Sequence, residues 1–226
     1  MTRVTAKSDP STATMAQPFE LTQFNPAQDR SAIRNQIRAL RHQLSPQQQT
    51  QAAKAAMAQM LTQLRALQPT KVGLYLTNDS ELDTQPLFQA LWRLNIDTYL
   101  PRLHPFNRGQ LIFLHYRQGT RMFPNRYGID EPKLDIRNLL PTEQLDLVIT
   151  PLVAFDELGN RMGMGGGFYD RTLAHWQTAG KPLPIGYAHD CQAVPSLPCE
   201  HWDVPLAMIV TPSRVLRFGS ETLAQG

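Results

Sequence analysis

Short apolar runs that alternate with helical stretches constrain this chain more than any other feature. KVGLYL from Lys71, IDTYLP, LIFLHY, LDLVIT, PIGYAH and LAMIVT each fit a buried or half-buried strand bounded by Pro, Gly or Asp. A helical stretch, Pro86 to Leu94, separates the first two. Strand followed by helix followed by strand predicts an α/β domain with a mostly parallel sheet, because parallel neighbours need a crossover connection. With 226 residues, 42% of them apolar, one such domain buries a sizeable core without disulfide or metal staples. No internal repeat interrupts the pattern. The 18 prolines are assigned to loops and strand ends.

Three segments are predicted. Residues 1–28 are rich in Ser, Thr, Pro and Gln without periodicity, a composition that cannot offset the entropy of ordering, so they read as a disordered extension. Residues 29–218 form the domain, and 219–226 a flexible C-terminal tail. No apolar run approaches the ~20 residues of a membrane span, and no secretory signal opens the chain. The expectation is a cytoplasmic protein with no membrane partner. Cys191 and Cys199 fit a reducing compartment.

The formal charge of +3 conceals a segment without any Asp or Glu between Arg30 and Asn78, where Arg30, Arg34, Arg38, Arg41, Lys54, Arg65 and Lys71 contribute +7. Asp29 is placed to cap a helix in which Ile33, Ile37, Leu40 and Leu44 recur at helical spacing, with the four arginines on a neighbouring face. Ser45-Pro46 then opens a second helix to about Leu67. Arginine suits fork-like binding of phosphate and carboxylate. The basic face is open at this level to three readings: a solvated surface, a nucleic-acid surface with steep salt dependence, or a small-anion clamp.

Asp146 to Arg171 (DLVITPLVAFDELGNRMGMGGGFYDR) carries the chemistry. A buried strand leads to a loop with Gly159, Gly163, Gly165, Gly166 and Gly167, and then to a helix from about Phe168. Missing side chains let backbone N–H groups turn toward one anion, and a helix N-terminus adds its dipole. Arg161 and Arg171 supply charge for phosphate, and Asp170 an oxygen ligand for a hard metal. The loop is neither a Walker A sequence nor a dinucleotide fingerprint. On spacing alone it is a phosphate or nucleotide loop, or a turn that allows close packing.

RMGMGGGFYDR, preceded by DLVITPLVAFDELGN and followed by IGYAHD and HWDVPLAMIVT, resembles the 5-formyltetrahydrofolate cyclo-ligase family, also called methenyltetrahydrofolate synthetases. The likeness runs through the arginine-bearing first helix, YLTNDSELDT, LPRL and NRYGIDEP, over about residues 29–212. It implies a three-layer Rossmann-like sheet with flanking helices. It also implies an ATP- and Mg²⁺-dependent ligase that converts 5-formyltetrahydrofolate to 5,10-methenyltetrahydrofolate with release of ADP and phosphate, with no nucleic-acid partner and as a monomer. By the same resemblance, Arg30, Arg34 and the run Arg161, Met162, Gly163, Met164, Gly165, Gly166, Gly167, Phe168 and Tyr169 bind ATP. Asp170 and Asp203 hold Mg²⁺, and Leu76, Glu81 and Tyr127 bind the folate. Arg38 and Arg41 stay unassigned. Some relatives carry Lys where this chain has Gly166, and many carry Tyr at Phe168, so contacts from those side chains are absent here.

Other patterns carry less. His189, Cys191, Cys199 and His201 lack zinc-site spacing. There is no Gly-x-Ser-x-Gly elbow and no His-Glu-x-x-His motif. Trp92, Trp176 and Trp202 lie in different elements and read as packing residues rather than a base-stacking platform.

Overall fold

The computed structural model describes residues 30–219. The expected extension 1–28, the Asp29 cap and, beyond Gly219, the C-terminal tail lie outside the described residues.

Helix α1 (Arg30–His42) buries Ile33 and Ile37. Arg41 continues that i, i+4 row and is buried with them at 1% exposure, so one of the four arginines expected on a neighbouring face lies on the core side. Helix α2 (Pro46–Leu67) opens as its sequence predicts: the Ser45 hydroxyl accepts from Gln48 N, the Gln48 side chain reaches back to Ser45 N, and proline takes the first turn. It ends at Gln68 in the left-handed conformation.

The chain then builds β1 (Lys71–Gly73), α3 (Gln85–Arg93), β2 (Asp97–Leu103), β3 (Leu111–Tyr116), the ribbon β4 (Met122–Pro124) with β5 (Asp130–Pro132), and β6 (Leu139–Leu140). It continues through β7 (Leu147–Thr150), the ribbon β8 (Ala154–Phe155) with β9 (Arg161–Met162), α4 (Phe168–Thr172), α5 (Trp176–Ala179), β10 (Leu183–Tyr187), β11 (Met208–Val210) and β12 (Val215–Arg217). The main sheet has the order β12-β11-β10-β7-β1-β2-β3-β6. Strands β2, β1, β7, β10 and β11 run parallel, whereas β3, β6 and β12 pair antiparallel at the edges.

Both faces of the central strands are covered, which is why they read as continuous apolar runs. Leu147, Ile149, Ile185, Tyr187, Met208 and Val210 meet α2 and α3 on one face. Val148 and Ile209, on the alternate positions, face the other side, where Leu173 near α4 and Leu206 pack. Three layers result. Helix α1 belongs to neither outer layer: Ile33 and Ile37 pack on Val153, Ala154 and Met162 of the β8–β9 ribbon, which brings α1 across the carboxyl end of the sheet.

Between β1 and β7 the chain order reverses, since β1 leads through α3 to β2 on one side and β7 leads to β10 and β11 on the other. Two neighbouring strands whose connections leave in opposite directions open a crevice at their carboxyl ends, where open α/β sheets bind ligands.

Candidate active site

A cavity of about 470 Å³ occupies this crevice, walled by Tyr75 and Leu76 after β1 and by Pro151 and Leu152 after β7. Leu76, Glu81 and Tyr127, separated by up to fifty-one positions in the chain, all line it. Tyr127 stands at its mouth, half exposed, with its ring edge-on to Phe168 at 6.2 Å between centroids. Glu81 is half-buried, and its carboxylate accepts from the Asn78 backbone N–H at 3.1 Å. Desolvation in the cavity wall raises its pKa from 4.5 to about 7.

The loop bearing Glu81 is fastened from α1. Asp79 and Ser80 both take left-handed backbone angles, φ 50° and 55°. The Asp79 carboxylate accepts from Arg38 at 2.7 and 3.2 Å and from Arg41 Nη2 at 2.7 Å, and it lies 2.9 Å from His42 Nε2. The Arg38 hydrogen bonds, partly opposed by burial, hold the Asp79 carboxyl down at about 2. Arg41 Nε and Nη1 are buried without a hydrogen-bond partner among the described residues. This answers the open assignment of Arg38 and Arg41: they anchor the Glu81 loop. A buried Arg at the i, i+4 position from Ile37 was the available signal, but its partner is separated by thirty-eight positions, and no spacing rule reaches that far.

A second cavity of about 190 Å³ lies on the opposite side of the glycine loop, lined by Arg30, Arg34, Arg161, Asp170, Trp202 and Asp203 among others. Arg161, Gly163, Gly167 and Asp170 line both cavities, so the loop is the wall between them. The Arg30 guanidinium donates to both oxygens of Asp203, at 2.8 and 3.2 Å, and to Pro198 O at 3.1 Å. Arg34 Nε donates to Gly163 O at 2.8 Å. Arg161 is buried and donates from Nη2 to Asp170 Oδ1 at 2.7 Å, with Val204 N donating to the same oxygen at 3.2 Å. Burial lowers the Arg161 pKa, and the nearby Asp170 charge opposes that.

Gly165 and Gly167 carry φ of 96° and 63°, which L side chains rarely adopt. A Cβ on Gly166 would stand 2.7 Å from the Phe168 ring, so a bare backbone at 166 goes with this ring position. Helix α4 has five residues and no side-chain cap. The expected helix-terminus contribution is therefore small, and the loop itself is the feature that shapes the site.

Not every residue expected at the nucleotide lies on the arginine-lined cavity. Met162, expected against ATP, is buried against Ile33 and Ile37 and lines neither cavity, because β9 alternates and points it into the core. Met164, Gly166, Phe168 and Tyr169 line the larger cavity with Leu76 and Glu81 rather than the arginine-lined one. Trp202, expected in packing, is 59% exposed and lines the arginine cavity.

The 5-formyltetrahydrofolate cyclo-ligase family model matches residues 26–212, most of the chain and both cavities. The chain belongs to that family. A 5-formyltetrahydrofolate cyclo-ligase from Escherichia coli K12 is 52% identical over 179 residues, 79% of this chain and 98% of the relative. One from Haemophilus influenzae is 49% identical over 79% of this chain and 95% of its own length. Among solved structures, the Aquifex aeolicus 5,10-methenyltetrahydrofolate synthetase superposes with a TM-score of 0.70 at 26% identity, covering 87% of this chain and 94% of that one. That superposition takes in the mixed, mostly parallel sheet with flanking helices described above. No helix among the described residues is long and apolar enough to cross a membrane.

Proposed function

We propose that this chain converts 5-formyltetrahydrofolate and ATP to 5,10-methenyltetrahydrofolate, ADP and phosphate. The observation that carries the reading is the shared wall: one glycine loop separates a largely apolar cavity of about 470 Å³ from an arginine-lined one of about 190 Å³. A ring system on one side and a polyphosphate on the other meet at that loop.

A formyl oxygen on an amide nitrogen is a poor leaving group. Transfer of the γ-phosphoryl group to it releases ADP and makes the oxygen part of a phosphate ester. The folate's second nitrogen then attacks the formyl carbon, loses its proton, and phosphate departs as the imidazolinium ring closes. Phosphoryl transfer of this kind depends on positioning and charge neutralisation. Arg30, Arg34 and Arg161 supply the neutralising charge from the cavity wall, and the loop backbone at Gly163, Gly165 and Gly167 approaches the phosphates without side chains. On the other side Leu76 packs against the pterin, ionised Glu81 accepts from its N–H groups, and the Tyr127–Phe168 pair closes the mouth.

Mg²⁺ fits as a passenger on the polyphosphate. Among the described residues no three His, Cys, Asp or Glu gather into a cage, and both Asp203 oxygens already take Arg30. A Mg²⁺ ion that keeps phosphate oxygens and waters needs only one or two carboxylates from the protein. Asp170 and Asp203, on the wall of the arginine cavity, are that share. The ion would supply charge neutralisation at the transferring group.

The basic face of α1 does not favour nucleic acid. Arg30 pairs with Asp203, Arg38 and Arg41 with Asp79, and Arg34 holds the glycine loop, so these charges are turned inward. One chain builds both cavities, so the reading needs no second copy, and it is of a cytoplasmic monomer. Purified protein is incubated with 5-formyltetrahydrofolate, with and without ATP-Mg²⁺, and methenyltetrahydrofolate absorbance is followed. ATP-dependent product is expected; its absence overturns the reading.

A further inference from the structure

The arginine cavity is too small for a whole nucleotide. At about 190 Å³ it lies below the roughly 300 Å³ at which pockets begin to enclose drug-sized ligands, and its lining is charged. A triphosphate suits that volume and that lining. With the glycine loop as one wall, a base attached to phosphates in this cavity would lie beyond it, over its rim.

That rim carries a single aromatic side chain among the described lining residues, Trp202. Trp202 is 59% exposed and belongs to none of the packed apolar clusters of the described residues. The His201 ring meets it edge-on at 4.5 Å and 75° and thereby supports the indole on one side. The backbone beneath is closed in both directions: Asp203 N donates to Glu200 O at 3.0 Å, and Glu200 N donates to Asp203 Oδ2 at 2.9 Å. The bond from Arg30 to Asp203 then ties this turn to α1 at the cavity edge. The indole is thus carried on a fixed turn, one residue from a carboxylate that faces the phosphate end.

We infer that Trp202 is the platform on which the base of the nucleotide stacks, so that ATP is held by its phosphates inside the cavity and by its base on the rim. The inference rests on the nucleotide reading of this cavity. Stacking is tolerant of base identity, because every base presents a π-face. Purine nucleotides therefore bind comparably, and pyrimidine nucleotides more weakly.

The test is equilibrium binding to the full chain, followed by calorimetry and by indole fluorescence, with ATP and inorganic tripolyphosphate as probes, each with Mg²⁺. For Trp202→Ala the ATP Kd should rise about ten-fold or more, while the tripolyphosphate Kd stays within about two-fold, because only the base is lost from the contact. Trp202→Phe should recover most of the ATP affinity, and ATP should quench the indole emission in wild type but not in that variant. Equal losses for both probes would mean that Trp202 only braces the Arg30–Asp203 turn, and an unchanged ATP Kd would remove it from the site; either overturns the platform. If wild-type protein binds and turns over ATP while Trp202→Ala matches it, this inference alone falls. If wild type binds no ATP, the proposed function falls with it.

Discussion

Glu81→Gln separates the stability of the Glu81 loop from its function, because the native carboxyl is displaced upward by its surroundings. In the unfolded chain Glu81 titrates at its ordinary 4.5; in the folded cavity wall, at about 7. Between those values the folded protein holds a proton that the unfolded chain has released. Stability therefore falls as pH rises through this window, and the cost is absent below it. At about 1.4 kcal/mol per pH unit the full displacement is worth about 3 kcal/mol. The side chain keeps partial solvent contact on the cavity side, so about 2 kcal/mol is expected. Glutamine cannot ionise, and its amide oxygen still accepts from Asn78 N. Arg41 and Asp79 are the charged groups acting on this carboxyl, and Asp79, held near 2, does not titrate in the window. His189, lowered to about 4 mainly by burial, has the opposite slope: it costs stability as pH falls from its ordinary 6.5. That slope is common to both proteins and cancels in the difference. Urea unfolding at pH 5 and pH 8 measures it directly: the variant should gain about 2 kcal/mol on wild type between the two, while its KM for folate rises and loses its pH dependence. An equal stability difference at both pH values would refute the reasoning, since it would mean that Glu81 is solvated like a surface carboxylate.

Four further substitutions probe the rest of the site. Asp170→Asn leaves Arg161 buried without its counter-charge; turnover should fall by at least about 100-fold and urea stability by about 2–3 kcal/mol, and wild-type rates would remove Asp170 from the site. Arg41→Met takes away the buried anchor of the Asp79–Ser80 turn, so KM for 5-formyltetrahydrofolate should rise several-fold while KM for ATP stays constant; parallel changes in both would assign Arg41 to general stability instead. Gly167→Ala meets φ 63° and the Arg171 guanidinium at 2.7 Å and should cost about 1–2 kcal/mol in thermal unfolding. Gly163→Ala, whose Cβ would sit 3.8 Å from Arg161 at an ordinary φ, should leave folding unchanged and weaken only ATP binding.

Local and periodic features were legible from the residues. The Ser45-Pro46 start of α2, the central strands and the turn-forming glycines all depend on interactions within a few positions, and they fold where those rules put them. The expected site residues came largely through family resemblance, and all of them but Met162 line one of the two cavities: the two-residue strand β9 is too short to declare which way Met162 points, and tertiary packing turned it inward. Strand direction at the sheet edges was not legible either. An apolar run looks alike whether its neighbour is parallel or antiparallel, so the antiparallel edges β3, β6 and β12 emerge only from pairing.

What the sequence by itself determined is the chemistry available: a parallel core able to open a crevice, a glycine loop, a set of arginines without nearby acids, and the carboxylates to oppose them. What only the tertiary structure decided is where each charge points. The acid-free stretch from Arg30 meets its acids at Asp79 and Asp203, far along the chain, and the exposed Trp202 stands beside one of them. The reason is physical. Periodicity encodes which face of an element is buried, but the pairing of charges across a fold is set by how the elements cross, and that crossing is a property of the whole packed core.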